Sequence, residues 1–190
     1  MTTRLWLVRH GETDWSASGR LNGWRDIELN PVGRDQARRL RGRLVGHEYA
    51  GVWSSDLRRA AETARLAYGP PRLDPRLREL DFGSLEGMRW DELSADMQRS
   101  LLEFDGFVAP CGDSVGGMRD RVLDFVESLS AGRQLLFTHG GVIRLLLRMA
   151  DADERVAPGT LVTVPGWAPS RLFGIARRNG FARTGPLRSR

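Results

Sequence analysis

Short apolar runs alternate along the chain with longer segments whose apolar residues recur every three or four positions. Leu5 to Val8 has the length of a buried strand and ends in Arg9, His10 and Gly11. Asn30-Pro31 then reads as a helix start, with Ala37, Leu40 and Leu44 on one face and an end near Gly46. "AGVWSS" (50–55) predicts a second strand and Asp56 to Tyr68 a second helix, broken by Gly69-Pro70-Pro71. Val115, Met118, Val122, Val126 and Leu129 trace one face of a further helix. "QLLFT" (134–138) is a buried strand, followed after His139-Gly140-Gly141 by the apolar helix "VIRLLLRMA". "TLVTVP" and "SRLFGIA" predict two late strands, joined as a hairpin across Gly166-Trp167.

Strands alternating with helices predict an α/β fold, a three-layer α/β/α sandwich around a mostly parallel sheet. Ligands of such sheets bind outside the carboxyl ends of the strands. Arg9-His10-Gly11, Ser54-Ser55 and His139-Gly140 stand at three such ends, so one crevice would collect them.

Composition narrows the classes. The chain has 190 residues, enough for one domain with a full core, and 41% hydrophobic content is ordinary for a globular protein. No apolar run reaches membrane-spanning length, and the first residues lack the apolar core of a signal peptide. The single cysteine, Cys111, excludes an internal disulfide and reads as a free thiol in a loop, so the cytoplasm is the expected compartment. All 29 basic residues are arginine. Five lie in the stretch 177–190, which has no acidic residue; taking them from 29 leaves 24 basic against 24 acidic residues in 1–176. The expected organisation is therefore one neutral domain over 1–176 with a basic, flexible tail over 177–190, and nucleic acid is not an expected partner. Monomer and homodimer both remain open.

Two histidines at strand ends suit a metal or an anion. A hydrolytic metal site wants three or more protein ligands, and an adjacent arginine repels cations. His47 lies near a helix end, where terminal carbonyls are its expected partners. An anion fits better: Arg9 and one of Arg58 or Arg59 offer planar forks for phosphate oxygens, and Gly140 and Gly141 open a helix whose free N–H groups attract anions. An imidazole among such cations is biased toward its neutral, nucleophilic form. Glu79, Asp81 and Glu86 in "LRELDFGSLEG" (77–87) are candidate acids for a leaving group.

"LVRHGETDW", "SSDLRRAAETA" (54–64), "LRELDFGSLEG" and "FTHGGVIR" (137–144), in this order, resemble the histidine phosphatase superfamily, whose fold is phosphoglycerate mutase-like. "GRLNGWRDIELNPVGRDQA" (19–37) is similar to the family's segment after its first motif. The resemblance implies that His10 is phosphorylated, that Arg9, Arg59 and His139 bind the phosphoryl group, and that Glu79 is the acid and base. It implies no metal and no cofactor. His139 as an imidazolium would add charge as well as a hydrogen bond. Phosphate or substrate contacts are carried over to Ser16, Asn22, Gly23 and Gly140. Ser16 departs from the family, which often has asparagine there; serine is shorter. "PCGDS" (110–114) resembles P-G-G-E-S with Cys111 and Asp113 substituted, and Asp113 and Ser114 are expected to cap the following helix rather than bind substrate.

The short chain, "DFGSLEG" and "GDS" look most like the phosphatase branch typified by α-ribazole phosphatase, an enzyme of cobalamin assembly. The residues between Met88 and Pro110, among them Trp90, Leu101, Phe104 and Phe107, form either an apolar lid or helices covering a core face. The expected activity is hydrolysis of a small phosphorylated metabolite through phosphohistidine, with α-ribazole 5'-phosphate a candidate substrate. A mutase-type phosphoryl transfer and a non-catalytic binding module are the alternatives.

Overall fold

The computed structural model describes residues 2–167. β1 (Thr3–Arg9), β2 (Gly51–Ser54), β3 (Arg72–Leu73), β4 (Gly132–Thr138) and β5 (Leu161–Trp167) form one sheet in the order β3-β2-β4-β1-β5. β1, β2, β3 and β4 run parallel, and β5 returns antiparallel along β1. The helices are α1 (Asp14–Ala17), α2 (Pro31–Leu44), α3 (Arg58–Ala67), α4 (Ala95–Glu103), α5 (Val115–Glu127) and α6 (Gly140–Met149).

Alternation along the central strands separates the core into two layers. Leu5, Leu7 and Leu136 face one side, where they pack with Met118, Val122 and Phe125 of α5 and Val142, Ile143 and Leu146 of α6. Val8, Leu135 and Phe137 face the other, against Leu40 and Leu44 of α2 and Ala64 and Ala67 of α3. The sandwich is therefore three-layered. Its central strands are buried on both faces, which is why they read as continuous apolar runs.

Helix starts follow local chemistry. The Asn30 side chain accepts from Gly33 N–H at 2.8 Å with Pro31 in the first turn, and the Ser114 hydroxyl accepts from Gly117 N–H at 2.9 Å. Neither α3 nor α6 is capped by its N-cap side chain; Asp26 takes the Arg58 N–H at the start of α3, and Gly140 and Gly141 of α6 line the cavity.

Several expectations are corrected. The turn expected at Gly166-Trp167 is strand: Trp167 pairs with Thr3, and Gly166 adopts φ +71° where the register with β1 shifts, a bulge that glycine accommodates. "SRLFGIA" and the boundary at 176/177 lie outside the described residues. β3 is an unexpected two-residue strand just past the Gly-Pro-Pro break. His47 does not take up helix-end carbonyls; it stands edge-on to Trp6, ring centroids 4.9 Å apart, while the Tyr49 hydroxyl donates to Leu44 C=O. Among the described residues no helix is long and apolar enough to cross a membrane.

Candidate active site

The parallel ladder continues past the strands and gathers their ends. His10 N–H donates to Thr138 C=O and Ser55 N–H to Phe137 C=O, so His10, Ser55 and His139 stand side by side. Gly11 turns the chain immediately after His10. Its N–H donates to the Thr63 hydroxyl on α3, and a Cβ there would overlap the Gly33 backbone, so only glycine fits.

His10 is 4% exposed. Its Nδ1 lies 2.7 Å from Gly11 C=O, an acceptor only, which puts the ring proton on Nδ1 and leaves a lone pair on Nε2. Arg59 Nε donates to that Nε2 at 3.3 Å. Burial first, then the charges of Arg59 and Arg9, hold the His10 pKa well below the usual histidine range, so the ring is neutral at pH 7. A neutral imidazole with Nε2 unprotonated is a nucleophile.

Arg59, in the first turn of α3, is 0% exposed. Carbonyls of the loop that follows α1 hold its guanidinium: Nη1 donates to Arg25, Nη2 to Gly23 at 2.6 Å and to Asn22. Burial pushes its pKa down to about 10, still charged at neutral pH. Arg58, the other candidate, is exposed and 3.6 Å from Glu28. Arg9 donates through Nη1 to Val156 C=O, and its Nε is buried without a partner. That orphaned donor beside His10 suits an anion's oxygen.

His139 caps α6 and is fully buried, its ring centroid 5.1 Å from that of His10. Nε2 is 2.9 Å from the Ser55 hydroxyl, and Nδ1 is buried without a partner. Burial, then the charges of Arg59 and other cations, keep its pKa well below the histidine range. The expected imidazolium is thus corrected to a neutral ring.

The three candidate acids separate cleanly. Glu79 is 8% exposed and lines the cavity; Oε1 accepts from Leu80 N–H and Oε2 from Gly141 N–H, each at 2.9 Å. A Cβ on Gly141 would overlap this carboxylate, so the second glycine of the motif gives the acid its place. Glu86 instead accepts from Trp24 N–H and Arg25 N–H, fixing the loop that holds Arg59. Asp81 closes a turn onto Gly83 N–H.

A cavity of about 440 Å³ opens over this cluster. Its lining has a polar part, Arg9, His10, Ser16, Asn22, Glu79 and Gly140, and an apolar part, Leu21, Phe82, Trp90, Leu101 and Phe104, with Arg20, Arg144 and Arg155 among the remaining lining residues. Segment 88–110 contributes both to the cavity wall and to the core. Trp90, Leu101 and Phe104 wall the cavity, while Met88 and Met97 pack on the core. Ser16 reaches the cavity, but its hydroxyl is engaged in the capping box of α1, donating to Thr13 C=O and accepting from Thr13 N–H. Gly23 does not line the cavity; its carbonyl serves Arg59. Asn22 lines it, with Oδ1 buried and unpartnered.

Sequence reasoning missed the supports. Arg121 donates to the carbonyls of Arg76, Arg78 and Glu79 and lies 3.5 Å from Asp113, which thus pairs with a cation rather than capping α5. Ser114 does cap it. Arg144 stacks on Phe104, pairs with Asp153 and donates to the carbonyls of Leu101 and Leu102, so its guanidinium is spent on holding α4. No signal in the linear sequence marks these arginines apart from the exposed ones. Among the described residues, no group of three or more His, Cys, Asp or Glu side chains is placed to hold a metal.

Comparison with known proteins agrees with this geometry. The family model of the histidine phosphatase superfamily (branch 1) matches residues 5–157. A metal-independent phosphoserine phosphatase of Arabidopsis thaliana is 36% identical over 168 residues, 80% of this chain and 71% of that protein. A phosphoglycerate mutase crystal structure from Thermus thermophilus superposes with TM-score 0.80 at 48% identity, over 85% of this chain and 92% of that one. An Escherichia coli structure described as "a putative alpha-ribazole-5'-P phosphatase" gives TM-score 0.74 at 28% identity, over 86% and 90%. The strand-end histidines, the buried arginines and the matched span together make this chain a member of the histidine phosphatase superfamily.

Proposed function

We propose that the chain is a metal-independent phosphomonoesterase that works through a phosphohistidine on His10. The observation that carries this is the His10 tautomer: Nδ1 is committed to Gly11 C=O and Nε2 is a lone pair, with Arg59 beside it.

The ester's phosphoryl group lies at the polar end of the cavity. Nε2 attacks phosphorus in line, the P–O bond to the leaving group breaks, and the Glu79 carboxyl delivers a proton to the departing oxygen. Glu79 then takes a proton from water. The resulting hydroxide attacks phosphorus, the P–N bond breaks, and inorganic phosphate leaves with His10 restored. Arg9, Arg59 and His139 donate to the equatorial oxygens, the interaction that dominates phosphoryl-transfer catalysis.

The apolar end supports a leaving group with a ring or hydrocarbon body, and α-ribazole 5'-phosphate is one such ester. The described activity of the E. coli relative favours trying it. The name of the Thermus relative favours a second reading, mutase transfer to a phosphoglycerate. Turnover of p-nitrophenyl phosphate in excess EDTA, lost in His10→Ala, tests the hydrolase; no turnover by the wild type overturns it. A panel with α-ribazole 5'-phosphate, phosphoserine and 3-phosphoglycerate, the last with and without bisphosphate priming, sorts the substrates. Isomerisation faster than phosphate release would establish the mutase instead.

A further inference from the structure

Ser55 is the first residue beyond β2, fully buried, and fixed from two sides. Its N–H donates to Phe137 C=O at 2.9 Å, and its hydroxyl oxygen takes the Leu57 N–H at 3.3 Å. The same oxygen lies 2.9 Å from His139 Nε2.

A neutral imidazole carries one N–H, so one of two arrangements holds. If Nε2 bore the proton, Ser55 Oγ would accept two N–H bonds and its own proton would be buried without an acceptor, a costly orphan. His139 Nδ1 would then turn a lone pair toward any anion held beside His10. If Ser55 donates instead, the hydroxyl proton is used, one unpaired group is left in the pair rather than two, and the ring proton moves to Nδ1. That is the buried His139 atom with no protein partner, on a ring 5.1 Å from His10.

We infer that Ser55 is a positioning residue: its hydroxyl donates to His139 Nε2, placing the ring proton on Nδ1 to donate to a phosphoryl oxygen on His10. No bond is made or broken in this step; the serine selects a tautomer. The inference rests on the phosphohistidine reading for its purpose, but the tautomer itself does not depend on turnover.

The test has a spectroscopic and a kinetic arm. With three histidines in the chain, long-range 1H–15N correlation spectra of 15N-histidine-labelled protein assign each ring. The proton is expected on Nδ1 of His139 at pH 7. A proton on Nε2 overturns the inference whether or not the protein hydrolyses any ester, which keeps its failure distinct from that of the phosphatase reading. Kinetically, Ser55→Ala is expected to lower kcat by roughly 10- to 100-fold, somewhat less than removing an oxyanion donor outright. KM stays within about threefold, and Ser55→Thr, which keeps the hydroxyl, recovers most of the loss. In a His139→Ala background, Ser55→Ala should cost less than about twofold, because the serine then has nothing to orient. An equal loss in both backgrounds, or no loss in the wild type, overturns the inference. If Ser55→Ala does not fold, the spectra of the wild type decide.

Discussion

Around the polar part of the cavity lining, side chains stand at a strand terminus or in a first helical turn, or are clamped by backbone. His10 is tied to Gly11, Arg59 to three carbonyls, and Glu79 to two N–H groups. The apolar part is Trp90 from a 3₁₀ turn, Leu101 from α4, Phe104 just past its end, and Phe82 and Leu21 from loops. Hydrogen bonds fix the first end. The second is held by apolar packing and by Arg144 and Arg148, which donate to the last carbonyls of α4. The polar groups are thus built on the sheet, and the apolar wall on a cover shaped by packing and by two arginines. Cores accept size changes more readily than they accept a displaced donor, so the two ends should respond differently to substitution.

The largest contrast comes from the nucleophile. His10→Ala should lower turnover of every ester by on the order of 10⁴-fold or more, measured with p-nitrophenyl phosphate. Glu79→Gln keeps the shape and loses the proton: expect a roughly 10²- to 10⁴-fold drop for alkyl phosphates and a smaller one for p-nitrophenyl phosphate, whose leaving group needs no acid. An equal drop on both would remove Glu79 from the acid's role. Arg59→Ala should cost about 10²- to 10³-fold in kcat. It also strips the carbonyls of Asn22, Gly23 and Arg25 of a donor, lowering stability by about 1–3 kcal/mol in urea melts. Phe104→Ala, at the apolar end, should raise KM for a ring-bearing ester by about tenfold and leave phosphoserine nearly unchanged. Equal losses on both esters would erase the distinction between the two ends.

The last contrast is in the pH dependence of stability. His10 and His139 both titrate well below the histidine range, chiefly through burial, then through nearby cations. The unfolded chain binds protons on these rings below about pH 6.5 and the native state does not. The unfolded state therefore gains relative stability as pH falls through that range, with a limit of about 1.4 kcal/mol per pH unit for each ring. Urea midpoints should decline from pH 7.5 to 5, and His10→Ala should halve the slope.

The phosphoryl end was the legible end. Buried parallel strands read as apolar runs, and the rule that ligands meet their carboxyl ends brought His10, Ser55 and His139 together from the sequence alone. The cover was legible only as composition. Leu101 and Phe104 stand three apart, as on any helix face, and which residue faces the cavity depends on where α4 stops, at a left-handed Phe104 that no local signal marks. Gly166 misled for a related reason: positive φ serves a bulge as well as a turn, and only the partner strand decides. Arg121 and Arg144 look like any surface arginine until the carbonyls they reach are placed by the rest of the fold.

Thr63 joins two of these parts with one hydroxyl. It accepts the Gly11 N–H and donates to Arg59 C=O. The turn bearing the nucleophile and the helix bearing its cation are thereby coupled like two plates on one rivet. Thr63→Val would cut that rivet, leaving the buried Gly11 N–H without an acceptor while Arg59 stays held by its three carbonyls and by His10.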